Sequence, residues 1–170
     1  SEIINDSFKD YEIFNVLSHT NSKENTQAVI MSNTINKFSN YFFNNKPDIL
    51  VLLGDRFETL GVAISAMLNK VPIAHIHGGE KTIGAIDDAI RHSITKLSHL
   101  HFVSCDEYKN RVRQLGENPN NIFSVGSLGV ENISSIKLKS KENLQSTLKI
   151  KNNNKIFLVA YHPTTLSELT

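Results

Sequence analysis

The sequence predicts an α/β fold built on a doubly wound parallel sheet, and three observations carry that expectation. Short apolar runs recur at 48–53 (DILVLL), 71–76 (VPIAHI), 100–104 and 121–125. Unbroken runs of this kind suit strands covered on both faces. Between them lie stretches of helical periodicity, and strand–helix alternation at this spacing argues for parallel βαβ units. The runs also end in glycine or polar residues, Gly54-Asp55, His77-Gly78-Gly79, Ser104 and Gly126-Ser127.

Taken in order, residues 11–17 (YEIFNVL) alternate weakly and are expected to form a strand. Ser22 or Asn25 can then cap a helix running to Asn44, with Ala28, Met31, Ile35, Phe38 and Phe42 at helical spacing. Lys46-Pro47 stops it, and strand 48–53 follows. Residues 57–70 read as a helix, 71–76 as a strand, 77–84 as a loop. A helix over 87–98 opens on Asp87-Asp88, favourable at the positive end of its dipole. Strand 100–104, a helix from Asp106 to Leu115-Gly116 and strand 121–125 complete the alternation. Residues 127–136 and 140–148 look helical, with Ser140 as a cap, and the polar run 149–155 (KIKNNNK) reads as a linker. A strand over 155–160 then opens a second domain, so 1–150 and 151–170 are the expected divisions. The start lacks a methionine, and the chain is expected to be a piece of a longer protein.

Composition narrows the function classes. The chain has 170 residues, 39% hydrophobic and 21% charged, enough apolar content for a substantial core. Its net charge of +1 gives no global field to attract nucleic acid or an anionic membrane. No apolar run reaches the ~20 residues needed to span a bilayer. The single cysteine, Cys105, permits no internal disulfide, and together with the absence of a signal-like start it suggests a cytoplasmic protein. Cys105 itself reads as a half-buried thiol rather than a nucleophile.

The chemistry concentrates in the stretch 75–101 (HIHGGEKTIGAIDDAIRHSITKLSHLH). In open α/β sheets ligands bind outside the carboxyl ends of the strands, and the polar residues of interest lie there. Asp55 and Arg56 follow one strand, His77 and Glu80 the next, Ser127 a later one, and His162 the last. The glycines match neither the dinucleotide fingerprint nor the phosphate-binding loop with its lysine. Asp55 can be a helix cap or an acid/base group. Asp87 with Arg91, and Asp88 with His92, are spaced to pair along a helix surface. Alternatively, the carboxylates serve as acid and base, with the arginine on a phosphate. His75, His77 and Glu80 could share a metal, but no comparable ligand set completes the group. His99 reads as structural.

The segments GDRFETL, HIHGGEKTIGAIDDAIRHSITKLSHLHFV, QLGENPNNIFSVGSLGVENI and YHP, in this order, resemble the hydrolysing UDP-N-acetylglucosamine 2-epimerase family. The resemblance implies a glycosyltransferase-B-like fold of two Rossmann-like domains with the active site between them. This chain would supply most of the first domain, incomplete at its N-terminus, and the truncated start of the UDP-binding domain. It implies metal-independent, NAD-independent chemistry, with no cofactor, on a UDP-2-acetamido sugar. UDP leaves from C1 as the C2 proton is removed, and water adds to the resulting glycal with reprotonation at C2 from the opposite face. The products are UDP and the free 2-epimer, N-acetylmannosamine from UDP-N-acetylglucosamine, for sialic-type acid synthesis.

By the matching motifs, Asp55 and Asp87 are the expected catalytic carboxylates. Arg56 and Arg91 position the substrate or stabilise charge, and His162 and Ser127 contact it. A homodimer is expected for the full-length protein. One departure stands out, because many relatives carry glutamate where this chain has His77. Either His77 or Glu80 would take that role, and an imidazole can transfer protons near neutral pH. UDP-N-acetylglucosamine is the expected substrate, and UDP-N,N'-diacetylbacillosamine is the alternative. A non-hydrolysing epimerase, a zinc-dependent hydrolase and a folded but inactive binding fragment are the competing readings.

Overall fold

The computed structural model describes residues 9–17, 26–150 and 156–161. Helix α1 spans Gln27–Asn44, strand β1 Leu50–Leu53, α2 Phe57–Leu68, β2 Ile73–Ile76, α3 Ile86–Leu97 and β3 Leu100–Val103. Helix α4 then spans Asp106–Gln114, β4 Ile122–Ser124, α5 Leu128–Ser135 and α6 Lys141–Thr147. The four strands form one sheet in the order β1-β2-β3-β4, and every pairing is parallel. The α/β architecture read from the sequence is therefore the one observed, a parallel sheet with flanking helices.

Burial explains why these segments take these forms. Leu52 of β1 and Ile73 of β2 pack with Ala63 and Ala66 of α2, Ile90 and Ile94 of α3, and Phe42 of α1. Small residues on the buried face of α2 let that helix approach its neighbours closely. Gly61 is one of them, since a Cβ there would lie 3.1 Å from Thr34 of α1. A second cluster joins Val103 of β3, Val112 of α4 and Ile122 of β4. Strand β2 begins at Ile73 rather than Val71. Pro72 has no N–H to give to a ladder, although its carbonyl accepts from Leu50 at 2.8 Å.

Two expected strands do not form. Residues 11–17 lie across α1, where the Phe14 ring packs tilted against Phe38 with centroids 4.6 Å apart and meets Tyr41 edge-on at 5.2 Å. Their carbonyls accept from side chains of α1, Val16 from Asn33 at 3.1 Å and Asn15 from Lys37, in place of a strand ladder. Residues 156–161 have no regular secondary structure, and Phe157, Leu158 and Val159 are exposed. No strand among the described residues lies alongside them, and an apolar run without a partner strand has nothing to satisfy its backbone. The cap of α1 is Thr26, whose hydroxyl accepts from the Val29 amide at 3.3 Å. Ser22 and Asn25, the expected caps, lie outside the described residues. Ser140 caps α6 as expected, accepting from the Asn143 amide at 3.2 Å.

The loop after β2 is held down by α4. Gly79 has φ +78°, its carbonyl accepts from Arg111, and a Cβ there would lie 2.6 Å from the Tyr108 carbonyl oxygen and 2.8 Å from Val112. An alanine would have to take up a left-handed backbone and push against main chain that cannot give way. Gly79→Ala is expected to lower stability by about 2 kcal/mol. Gly129→Ala, inside α5 with only Ser127 Oγ nearby at 3.8 Å, is expected to be neutral or slightly stabilising. Urea denaturation of the two variants beside the parent checks the contrast.

Candidate active site

The carboxyl ends of β1, β2 and β3 lie side by side. The Gly54 amide donates to the Ile76 carbonyl at 3.3 Å, and the His77 amide to the Phe102 carbonyl at 2.9 Å. At this edge Arg91, projecting from α3, is the hub. Its guanidinium is 6% exposed and donates to the Asp55 carboxylate, to the Glu80 carbonyl at 3.0 Å and to Thr82 Oγ1 at 3.0 Å. Asp88 adds a looser contact at 3.7 Å. One side chain thus ties the turn after β1, the loop after β2 and the first turn of α3.

This arrangement revises three readings. Asp55 is not a helix cap; Arg56 occupies the cap position of α2 and makes no side-chain cap bond, while the Asp55 carboxylate crosses to Arg91. Arg91 does not pair with Asp87 along the helix surface, because its donors point into the loop layer. Its burial and its full set of partners make it a clamp on Asp55 in this structure rather than a side chain displayed to a phosphate. Asp88 does face His92, at 3.8 Å, and its other oxygen accepts from the Thr82 amide at 2.9 Å.

A second group forms one strand over. Glu80 Oε1 accepts from Ser104 Oγ at 3.0 Å and lies 2.6 Å from His77 Nδ1. A carboxylate only accepts, so the short contact places a proton on Nδ1, and in the neutral ring Nε2 is then the bare nitrogen. His77 has φ +65°, a left-handed backbone unusual for a residue with a side chain. That turn aims the imidazole back at Glu80. Ser104 sits on the active edge in the sequence, but nothing in its neighbourhood signals a bond to a residue 24 positions earlier. Thr82 was equally silent.

The remaining candidates are more scattered. Arg56 is exposed and chelates Glu58 at 2.8 and 3.1 Å, and the charges of Glu58, Asp87 and Asp55 favour its protonated form. Asp87 is half-buried on the first turn of α3. Ser127 occupies the cap position of α5 without a side-chain cap bond. His162 lies outside the described residues. Among the described residues no group of three His, Cys, Asp or Glu side chains is arranged to hold a metal ion. His75, a possible ligand by its spacing from His77, and His99, read as structural, both have partners of their own. His75 faces the Gly54 carbonyl and Thr95, and His99 Nδ1 accepts from the Ile73 amide at 3.2 Å. No helix among the described residues is long and apolar enough to cross a membrane.

A family model described as UDP-N-acetylglucosamine 2-epimerase matches residues 1–169. The chain belongs to that family. It is 46% identical over 157 residues to the polysialic acid biosynthesis protein P7 of Escherichia coli, covering 90% of this chain and 38% of that protein. It is 47% identical over 137 residues to a hydrolysing GDP/UDP-N,N'-diacetylbacillosamine 2-epimerase of Campylobacter jejuni, covering 81% of this chain and 36% of that protein. Among solved structures, the UDP-GlcNAc 2-epimerase of Neisseria meningitidis bound to UDP-GlcNAc superposes with a TM-score of 0.65 at 20% identity. That match covers 80% of this chain and 39% of the other, and at such identity it shows the shared Rossmann-like fold. The chain spans less than two fifths of the length of these curated relatives.

Two buried histidines are expected to weaken this epimerase-family domain in acid. Burial pushes the His75 imidazole down to about 4 against the opposing Gly54 carbonyl, and burial also lowers His101 against the pull of Glu117. Both folded values lie below the unfolded value of about 6.5, so the unfolded chain takes up these protons first as pH falls. The contribution is complete above about pH 6.5 and is lost as pH drops towards 4. For His75 alone it amounts to about 3 kcal/mol. Urea midpoints are expected to hold level from pH 7.5 to about pH 6.5 and then to fall towards pH 5.0, above most carboxylate titration. His75→Gln is expected to flatten that slope.

Proposed function

We propose that the protein from which this chain comes is a hydrolysing 2-epimerase of a UDP-2-acetamido sugar, with UDP-N-acetylglucosamine as substrate, N-acetylmannosamine and UDP as products, and sialic-type acid synthesis as its setting. The observation that carries the reading is the pair of held acid/base groups at one sheet edge, Asp55 on Arg91 and His77 on Glu80. Inverting a carbon by way of a planar intermediate needs one group to take its proton and another to return a proton from the opposite face.

In this reading His77 accepts the C2 proton through its bare Nε2. Glu80, itself held by Ser104, fixes the tautomer and stabilises the imidazolium that forms. The electrons of the C2–H bond become the C1–C2 double bond as the C1–O bond to UDP breaks. A proton from solvent, relayed by way of the Asp55 carboxylate that Arg91 clamps, is returned to C2 from the other face, while Asp87 takes one from the water whose oxygen bonds to C1. The sum is UDP-sugar plus water giving UDP plus free 2-epimer. Exposed Arg56, at the start of α2, keeps part of its guanidinium free of Glu58 and is a cation placed to meet the departing diphosphate. Ser127 and His162 contact the substrate, the UDP-binding domain begins near residue 151, and the enzyme works as a cytoplasmic homodimer.

UDP-N,N'-diacetylbacillosamine is the second substrate reading. It is favoured by the relatives from Campylobacter jejuni and Legionella pneumophila named for that sugar, 47% and 36% identical. Incubating the full-length protein with each UDP-sugar, and quantifying UDP and free sugar, tests both. Equimolar free UDP and free 2-epimer from one of them supports the reading and names the substrate. A UDP-linked epimer without free UDP would make the enzyme non-hydrolysing.

A further inference from the structure

His75 is fully buried on β2, and neither of its ring nitrogens faces solvent. Nε2 lies 2.9 Å from the Gly54 carbonyl oxygen, and Nδ1 lies 3.2 Å from Thr95 Oγ1. A carbonyl can only accept, so Nε2 carries the proton in the neutral ring. Thr95 Oγ1 also lies 3.0 Å from the Arg91 carbonyl. A hydroxyl has one proton, so opposite a neutral ring Thr95 gives it to Nδ1, and a doubly protonated ring would turn it round. Space around the ring is tight, since a Cβ on Gly78 would lie 3.1 Å from Thr95 Oγ1 and 3.2 Å from His75 Nδ1.

The two partners of His75 are the two elements that carry the Asp55–Arg91 pair. Gly54, with φ +85°, immediately precedes Asp55, and Thr95 stands one turn after Arg91 on α3. We propose that His75 is a positioning residue for the reaction, a buried cross-brace that pins the Gly54-Asp55 turn to α3 and so sets where Arg91 holds the Asp55 carboxylate. The assignment rests on the reading of Asp55 as an acid/base group. A hydrocarbon side chain in the same space would leave the Gly54 carbonyl without its donor and release the turn. Glutamine keeps an N–H for that carbonyl and an oxygen for Thr95. The burial of the imidazole, which keeps it neutral, protects the required tautomer.

The test uses the full-length protein with His75→Leu and His75→Gln, each checked for folding by circular dichroism. With UDP-sugar, the leucine variant is expected to lose about 10- to 100-fold in kcat with little change in KM, because the carboxylate is misplaced and binding is not. The glutamine variant is expected to recover at least a third of the parent kcat. Amide hydrogen exchange supplies a readout that needs no turnover. The Gly54 amide, which donates to the Ile76 carbonyl, is expected to lose about tenfold in protection in the leucine variant, with the His77 amide unchanged, and to regain it in the glutamine variant. Parent-like kcat and parent-like Gly54 exchange in a folded leucine variant would overturn the proposal, as would a loss that glutamine does not reverse. If the parent turns over neither sugar, the functional reading fails while exchange still decides whether His75 braces the turn.

Discussion

Asp55→Asn in the full-length protein is expected to lower kcat for the UDP-sugar by about 10²- to 10⁴-fold, the usual contribution of a positioned proton-transfer group. The asparagine amide can still sit against Arg91, so the scaffold and KM are expected to stay close to the parent. The loss should therefore appear in kcat and kcat/KM alike, as for an interaction made in the transition state. A variant within threefold of the parent would remove Asp55 from the chemistry and leave it as a partner that merely neutralises Arg91. Steady-state release of UDP at saturating sugar is the measurement.

Arg91→Met is expected to cost about 3–4 kcal/mol in stability as well as activity. The substitution fills much of the volume but removes every donor, leaving the Asp55 carboxylate and the Glu80 carbonyl facing an apolar side chain. Asp55 is about one quarter exposed, so water can meet part of that cost, which keeps the figure at the lower end for a broken buried pair. Arg91→Lys restores charge at a single point and cannot span Asp55, Glu80 and Thr82 together, so it is expected to recover less than half. Urea midpoints of the three proteins at pH 7.5 check the order.

These expectations rest on geometry that the sequence disclosed unevenly. The strands 50–53 and 73–76 were legible because both are short apolar runs between helices of clear period; β2 is buried on both faces as expected, whereas β1 leaves Val51 and Leu53 exposed on one face. Segments 11–17 and 156–161 carry similar composition, yet one is drawn onto α1 by aromatic rings and the other has no neighbouring strand among the described residues. Strand propensity is a preference for a partnered surface, and sequence does not reveal the partner. The gathering of polar residues at one sheet edge was readable, since Asp55, His77 and Glu80 follow strand ends and Arg91 lies on the helix after the second of them. Their pairing was not. Asp55 and Arg91 are 36 positions apart, and local rules instead suggested a cap for one and an i,i+4 partner for the other. His75 looked like one of a pair of metal ligands, whereas its partners are a carbonyl and a threonine fixed only when α3 docks against β2.

The central claim, that the carbon inverted is C2 and that a proton is exchanged there while UDP departs, is tested most directly in D2O. NMR of the full-length protein turning over its UDP-sugar should show free UDP and a free 2-epimer carrying one deuterium at C2. A 2-epimer that keeps its original hydrogen at C2 would contradict proton exchange through Asp55 and His77, and free sugar released without inversion would contradict epimerisation.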